Sequence, residues 1–77
     1  MWYSIPSAKA GDKVELAVYD VSGRRVAMLQ HGDARPGRFR ITWNLSDDHG
    51  NHVEPGLYFA RLTTGAEVHS QKLIVVH

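Results

Sequence analysis

Residues 14–29, VELAVYDVSGRRVAML, decide the fold. In 14–20, Val14, Leu16 and Val18 alternate with Glu15, Ala17 and Tyr19, the period-two pattern of a strand with one buried face. The pattern breaks at Asp20-Val21-Ser22-Gly23-Arg24, where Gly23 supplies the positive φ of a tight turn. A second strand follows over 24–30, RRVAMLQ. Two short strands joined in this way form an antiparallel hairpin, and the rest of the chain repeats the same grammar.

Working outward, WYSIP (2–6) is a short apolar piece that Pro6 confines to an edge strand or a strand end. SAKAGDK is a loop. In RFRITWN (38–44), Phe39, Ile41 and Trp43 share a face opposite Arg38, Arg40 and Thr42; the preceding loop, HGDARPGR, carries Pro36-Gly37 as its turn signal. LSDDHGNHVEPG is a third loop, with a short strand expected around His52–Val53. In GLYFARLT (56–63), Tyr58, Ala60 and Leu62 alternate with Leu57, Phe59 and Arg61, and a final strand is expected over 67–76. No segment carries a capped helical stripe; GRRVAMLQHG has helix formers but is too short to hold alone. Six or seven strands at roughly ten-residue spacing make the expected fold all-β, a β-sandwich or a small barrel.

Seventy-seven residues make one domain. A chain of this size buries only about 60% of its unfolded surface, so its core is thin, and with no cysteine no disulfide or thiolate metal site supplements it. At 43% hydrophobic and 22% charged residues the chain is globular rather than disordered. A net charge of +1 argues against a dedicated nucleic-acid binder. No apolar stretch approaches the ~20 residues that span a bilayer, so no transmembrane segment is expected. MWYSIPSAKAGDK has no basic-then-apolar leader. Met1 is therefore read as the start of a piece excised from a longer protein.

The loop DDHGNH could converge Asp47, Asp48, His49 and Asn51 on a cation, calcium before zinc because oxygen donors dominate. Asp, Asn and Gly are also what a turn needs, and with Gly50 at the sixth place of an EF-hand loop the first would be Leu45, which is no ligand. The turn reading is preferred, with no metal and no cofactor expected. Ser, His and Asp occur, but no nucleophile elbow places them together, and a small sandwich has little room for a pocket, so no catalytic residue is expected. Arg24, Arg25, Arg35, Arg38, Arg40 and Arg61 read as solvent-facing cover rather than a polyanion site. Phe39, Trp43 and Tyr58 fall at core-facing positions, which favours packing over a sugar-stacking platform; Trp2 and Tyr3 are less constrained.

Taken in order, YSIP (3–6), VELAVYDVSGRRVAML, GRFRITWN (37–44), DDHGNHVEPGLYFARLTTG (47–65) and KLIVVH (72–77) resemble the immunoglobulin-like domain of the flagellar hook-capping protein, and equally its relatives, the C-terminal sorting domains of type IX secretion substrates. The resemblance covers nearly the whole chain, implies a small immunoglobulin-like antiparallel β-sandwich of about seven strands, and marks Tyr19, Asp20, Gly23, Arg24, Trp43, Gly50, Gly56 and Tyr58 as structural motif positions. Asp20 is expected to cap its turn, and Pro55-Gly56 to bend the chain into the strand carrying Tyr58. Asn44-Leu45 stands where the family usually has Asp-Gly; Leu45 adopts positive φ only at a cost, so this loop is expected to be reshaped. His77 stands where sorting domains often end in Lys or Arg.

What the resemblance implies is a non-catalytic C-terminal module of a larger secreted Gram-negative bacterial protein. It would be sorted to the cell surface by the secretion machinery through Lys72, Leu73, Ile74, Val75, Val76 and His77. The alternatives are a structural spacer or assembly domain contacting a parent-protein domain, and a carbohydrate-binding module appended to a hydrolase. KLIVVH holds the longest aliphatic run in the chain. It is expected to pair beside GLYFARL with either Leu73 and Val75 or Ile74 and Val76 inside. The other pair, if exposed at a sheet edge, would be a template for edge pairing with another chain.

Overall fold

The computed structural model describes residues 2–5 and 12–76, Trp2 by its backbone alone. Met1, Pro6, most of the SAKAGDK loop and His77 lie outside the described residues. Six strands follow in order: β1 (Trp2–Ile5), β2 (Lys13–Asp20), β3 (Arg25–Asp33), β4 (Gly37–Arg40), β5 (Gly56–Thr64) and β6 (Glu67–Val75). They form a four-stranded sheet, β3-β2-β5-β6, and a two-stranded sheet, β1-β4. All pairings are antiparallel. This is an all-β antiparallel sandwich, one of the two architectures that the alternation allows.

The alternation also selects the inner face. Val14, Leu16 and Val18 of β2, Tyr58 and Ala60 of β5 and Val75 of β6 are buried, and Leu62 and Leu73 are half-buried behind them. Ala17, on the outer face, is buried too, because its small side chain sits in register between Met28 and Arg61. The core gathers in two places. Val18, Val53, Tyr58 and Val75 form one cluster, flanked by Val26, Leu29, Trp43, Leu45 and Leu73. Ile5, Val14 and Ala34 form the other, flanked by Tyr3, Phe39 and Leu62.

Two segments depart from simple alternation. β4 stops at Arg40 rather than running through Asn44, because its partner is only four residues long and Trp2 already pairs with Arg40. Ile41 and Trp43 thus lie on irregular backbone, both half-buried, and Trp43 packs against the core. The short strand expected near His52–Val53 is a single bridge, Ser46 to His52. In β3 the register with β2 skips Leu29 and Val26. Each is an extra residue on β3, a bulge that bends the strand and re-aims its side chains. The bulges bring Val26 and Leu29, three residues apart, onto one core cluster.

Candidate functional site

The turn after β2 is built around one carboxylate. Asp20 Oδ1 accepts the Ser22 N–H (3.0 Å), the Ser22 hydroxyl (2.6 Å) and the Arg24 N–H (3.0 Å). The Gly23 N–H donates to the Asp20 carbonyl at 3.0 Å, with Gly23 at φ 88° as its place in the turn requires. Arg24 Nε stands 3.7 Å from Asp20 Oδ2. The Ser22 hydroxyl above all, then the Arg24 and Ser22 amides and the Arg24 charge, hold the Asp20 carboxyl below its ordinary value.

The loop at 44–54 repeats the device. Asp47 Oδ1 accepts the His49 N–H at 2.9 Å and the Asn51 N–H at 3.0 Å, and Gly50 N–H returns to the Asp47 carbonyl. The Asn51 amide is the chief reason that the Asp47 carboxyl also titrates low. Asp48 turns the other way, toward β3. Its Oδ1 accepts the Met28 N–H at 2.9 Å, its own N–H donates to the Val26 carbonyl at 3.0 Å, and Arg25 Nε lies 3.3 Å from Oδ2. The loop is thereby docked on the free side of β3.

Asp47, Asp48, His49 and Asn51, the candidate cation ligands, are therefore adjacent, but their carboxylates are directed at backbone amides and an arginine. Among the described residues no three of His, Cys, Asp and Glu are grouped to hold a metal ion. Asp20, Arg24, Asp48, His49, His52 and Glu54 contribute to a polar pocket of about 420 Å³ at this end.

Leu45 corrects an expectation. It adopts the left-handed conformation, φ 62°, that Gly would take. The neighbours impose it: Asn44 Oδ1 accepts the Ser46 N–H at 3.1 Å, the Leu45 carbonyl accepts the Val53 N–H at 2.9 Å, and the side chain packs on the core. Leu45 thus takes the left-handed conformation at the cost of local strain rather than avoiding it.

The aromatics are committed to packing. Trp43 and Tyr58 meet edge to face at 5.7 Å. The indole N–H donates to the Ser46 carbonyl at 2.9 Å, and the Tyr58 hydroxyl to the Glu54 carbonyl at 2.6 Å. Phe39 stacks on Tyr3 at 5.4 Å. A sugar platform needs flat, open faces, and these rings are paired instead. Arg61 lies over the Tyr19 ring at 3.8 Å, covering the outer face. Gly56 opens β5 after Pro55, as its motif place implies.

β6 carries Lys72, Leu73, Ile74 and Val75, and Val76 follows it. It pairs beside β5 throughout, from Gly56 with Val75 to Thr64 with Glu67. Val75 is 4% exposed, whereas Ile74 and Val76 are 73% and 75% exposed. Leu73 and Val75 are thus the inner pair. β6 is also an edge strand, so the outer pair lies beside an open edge.

Sequence reasoning found the Asp20 turn and the β6 pairing. It missed the β3 bulges and the docking role of Asp48. Nothing in the spacing marks Asp48 apart from Asp47; only the tertiary approach of β3 separates them.

Residues 4–73 match the family model of the FlgD Ig-like domain. No curated protein matches the chain. No solved structure matches it either.

Proposed function

The chain belongs to the FlgD Ig-like domain family, and from that premise we propose that it is a structural, non-catalytic assembly domain of a larger protein. One observation carries this: the three carboxylates and two aromatic polar groups at its loop end are engaged in holding the fold. Asp20, Asp47 and Asp48 accept backbone amides, and Trp43 and Tyr58 donate to backbone carbonyls. Chemistry at a bound substrate needs groups aimed outward at a reacting atom, and these are aimed inward. A rigid end of this kind suits a module that fixes the position of its neighbours. The test is deletion of the domain from its parent protein, with the assembled fraction read by sedimentation. Loss of assembly with an intact remainder is expected; an unchanged assembled fraction overturns the reading.

The exposure of Ile74 and Val76 favours a second reading, a sorting module whose final strand is recognised during export to the surface of a Gram-negative cell. Residues 1–77 fused to a reporter with a signal peptide, in a strain with a type IX system, test it. Surface delivery should fall when Ile74 and Val76 are replaced by Thr, changes that spare the inner face. Equal delivery by the folded variant defeats it.

A further inference from the structure

Among the described residues β6 is paired on one side only, and its register with β5 is unbroken along its whole length. The connecting turn is the two residues Gly65-Ala66, with Gly65 at φ 59° and Ala66 at ordinary φ, the form in which glycine leads a two-residue hairpin. Such a turn makes Thr64 and Glu67 a hydrogen-bonded pair, and these pairs recur at every second residue. The N–H and C=O groups of 67, 69, 71, 73 and 75 therefore address β5. Those of 68, 70, 72 and 74 address the open side.

The side chains at those even positions stand on the outer face. Val68 is 56% exposed and Ile74 73%, with exposed Ser70 and Lys72 between them. Their order, apolar, polar, polar, apolar, is symmetric about Gln71. An antiparallel strand of the same sequence, centred on Gln71, sets Val68 opposite Ile74 and Ser70 opposite Lys72, twice over. Apolar side chains meet apolar ones, and no like charges face each other directly. The two lysines lie on a diagonal, with stems long enough to part into solvent. Recentring on Lys72 places that lysine opposite itself; recentring on Ser70 leaves Ile74 opposite Ala66 and Lys72 opposite Val68. One register alone satisfies both the apolar and the charged positions, and in it every outward backbone group meets another.

We infer that β6 is an interface between two copies of this chain, paired antiparallel about Gln71 into one continuous sheet across a twofold axis. The inference rests on the assembly reading and deepens it by naming the partner. A single strand edge covers less than the ~800 Å² per partner of a standard interface. The pairing is accordingly weak in the isolated chain, with a dissociation constant on the order of 10⁻⁴ M, and is strengthened wherever copies are held side by side.

Sedimentation velocity of the 77-residue chain from about 10 μM to 1 mM tests the pairing, with dimer expected to accumulate across that range. The register is tested separately, because a chain without cysteine accepts single-cysteine probes cleanly. At the symmetric centre Gln71 faces its own copy in a non-hydrogen-bonded pair, where Cα atoms lie about 4.5 Å apart. Gln71→Cys should cross-link under mild oxidation roughly tenfold faster than Ser70→Cys or Lys72→Cys, which face different residues. A chain that stays monomeric throughout, or cross-linking without preference for position 71, overturns the inference. Neither result touches the assembly reading, which stands or falls on the deletion of the domain from its parent.

Discussion

The four-stranded sheet has two edges, and they are finished differently. At β3 the strand is bulged at Val26 and Leu29, and Asp48 lies against its free side, accepting from Met28, donating to Val26 and pairing with Arg25. At β6 the register is regular and Val68, Ile74 and Val76 project beside it. Bulges and covering loops are how sheets avoid joining other sheets. One edge of this domain is closed by such devices. The other carries a single charge, Lys72, among its outward positions, which directs contact to that side.

The largest effect that sharpens this contrast comes from the inner side of β6. Val75→Ala removes buried methyl groups beside Val18 and Tyr58 and should cost about 2–3 kcal/mol in a urea melt. In a domain this small that is a large share of the total. A loss below about 0.5 kcal/mol would mean that β6 is only loosely attached.

Next is the closed edge. Asp48→Ala leaves the Met28 amide without its charged acceptor and should cost about 1.5 kcal/mol. Amide exchange at Met28 should quicken while the β5–β6 amides keep their rates. Equal acceleration at both edges would show that Asp48 stabilises the domain as a whole rather than guarding β3.

Acid should act in the same direction, more gently. Asp20 and Asp47 bind protons more weakly in the folded chain than in the unfolded one. The stability they contribute is therefore complete above the ordinary carboxylate range, and it is lost as pH falls below about 4 toward their folded values. Because the Asp47 loop carries Asp48, the β3 edge should open first. Urea midpoints should be flat from pH 7 to 5 and drop by pH 3, and Asp47→Asn should flatten that drop. A midpoint that falls equally in the variant would place the acid response elsewhere, with Asp33 on Lys13 the next carboxylate to examine.

The smallest effect on stability is expected at the outer side of β6. Ile74→Thr should change the stability read from a urea melt by less than about 0.5 kcal/mol, since the side chain is exposed and threonine suits a strand. It should nonetheless weaken self-association several-fold. A variant that unfolds readily would instead place Ile74 in the core.

Much of this arrangement could be seen in the sequence where one period governs a whole strand. Val14, Leu16 and Val18, and Tyr58, Ala60 and Leu62, name the inner face without further help, and Asp20 with Gly23 names its turn. The alternation of KLIVVH offered two faces and could not choose between them. That choice is made by register with β5, where Leu73 falls opposite Tyr58 and Val75 opposite Gly56. The bulges of β3 shift Val26 and Leu29 out of any fixed period. Leu45 is a clearer case still. Local preference opposes its φ, and the capped loop and the packing of its side chain prevail together. Asp47 and Asp48 are alike in sequence and part only because β3 approaches one of them.

The free edge of β6 also bears on how the domain carries load. Gly56 and Val75 pair at the end of the hairpin farthest from its turn. Tension drawn through Val76 across the strands falls first on that pair, then on the next, so that the ladder peels one rung at a time. A second strand laid along β6 would bond at 68, 70, 72 and 74, between the rungs to β5, so peeling the paired strand must break both sets of bonds.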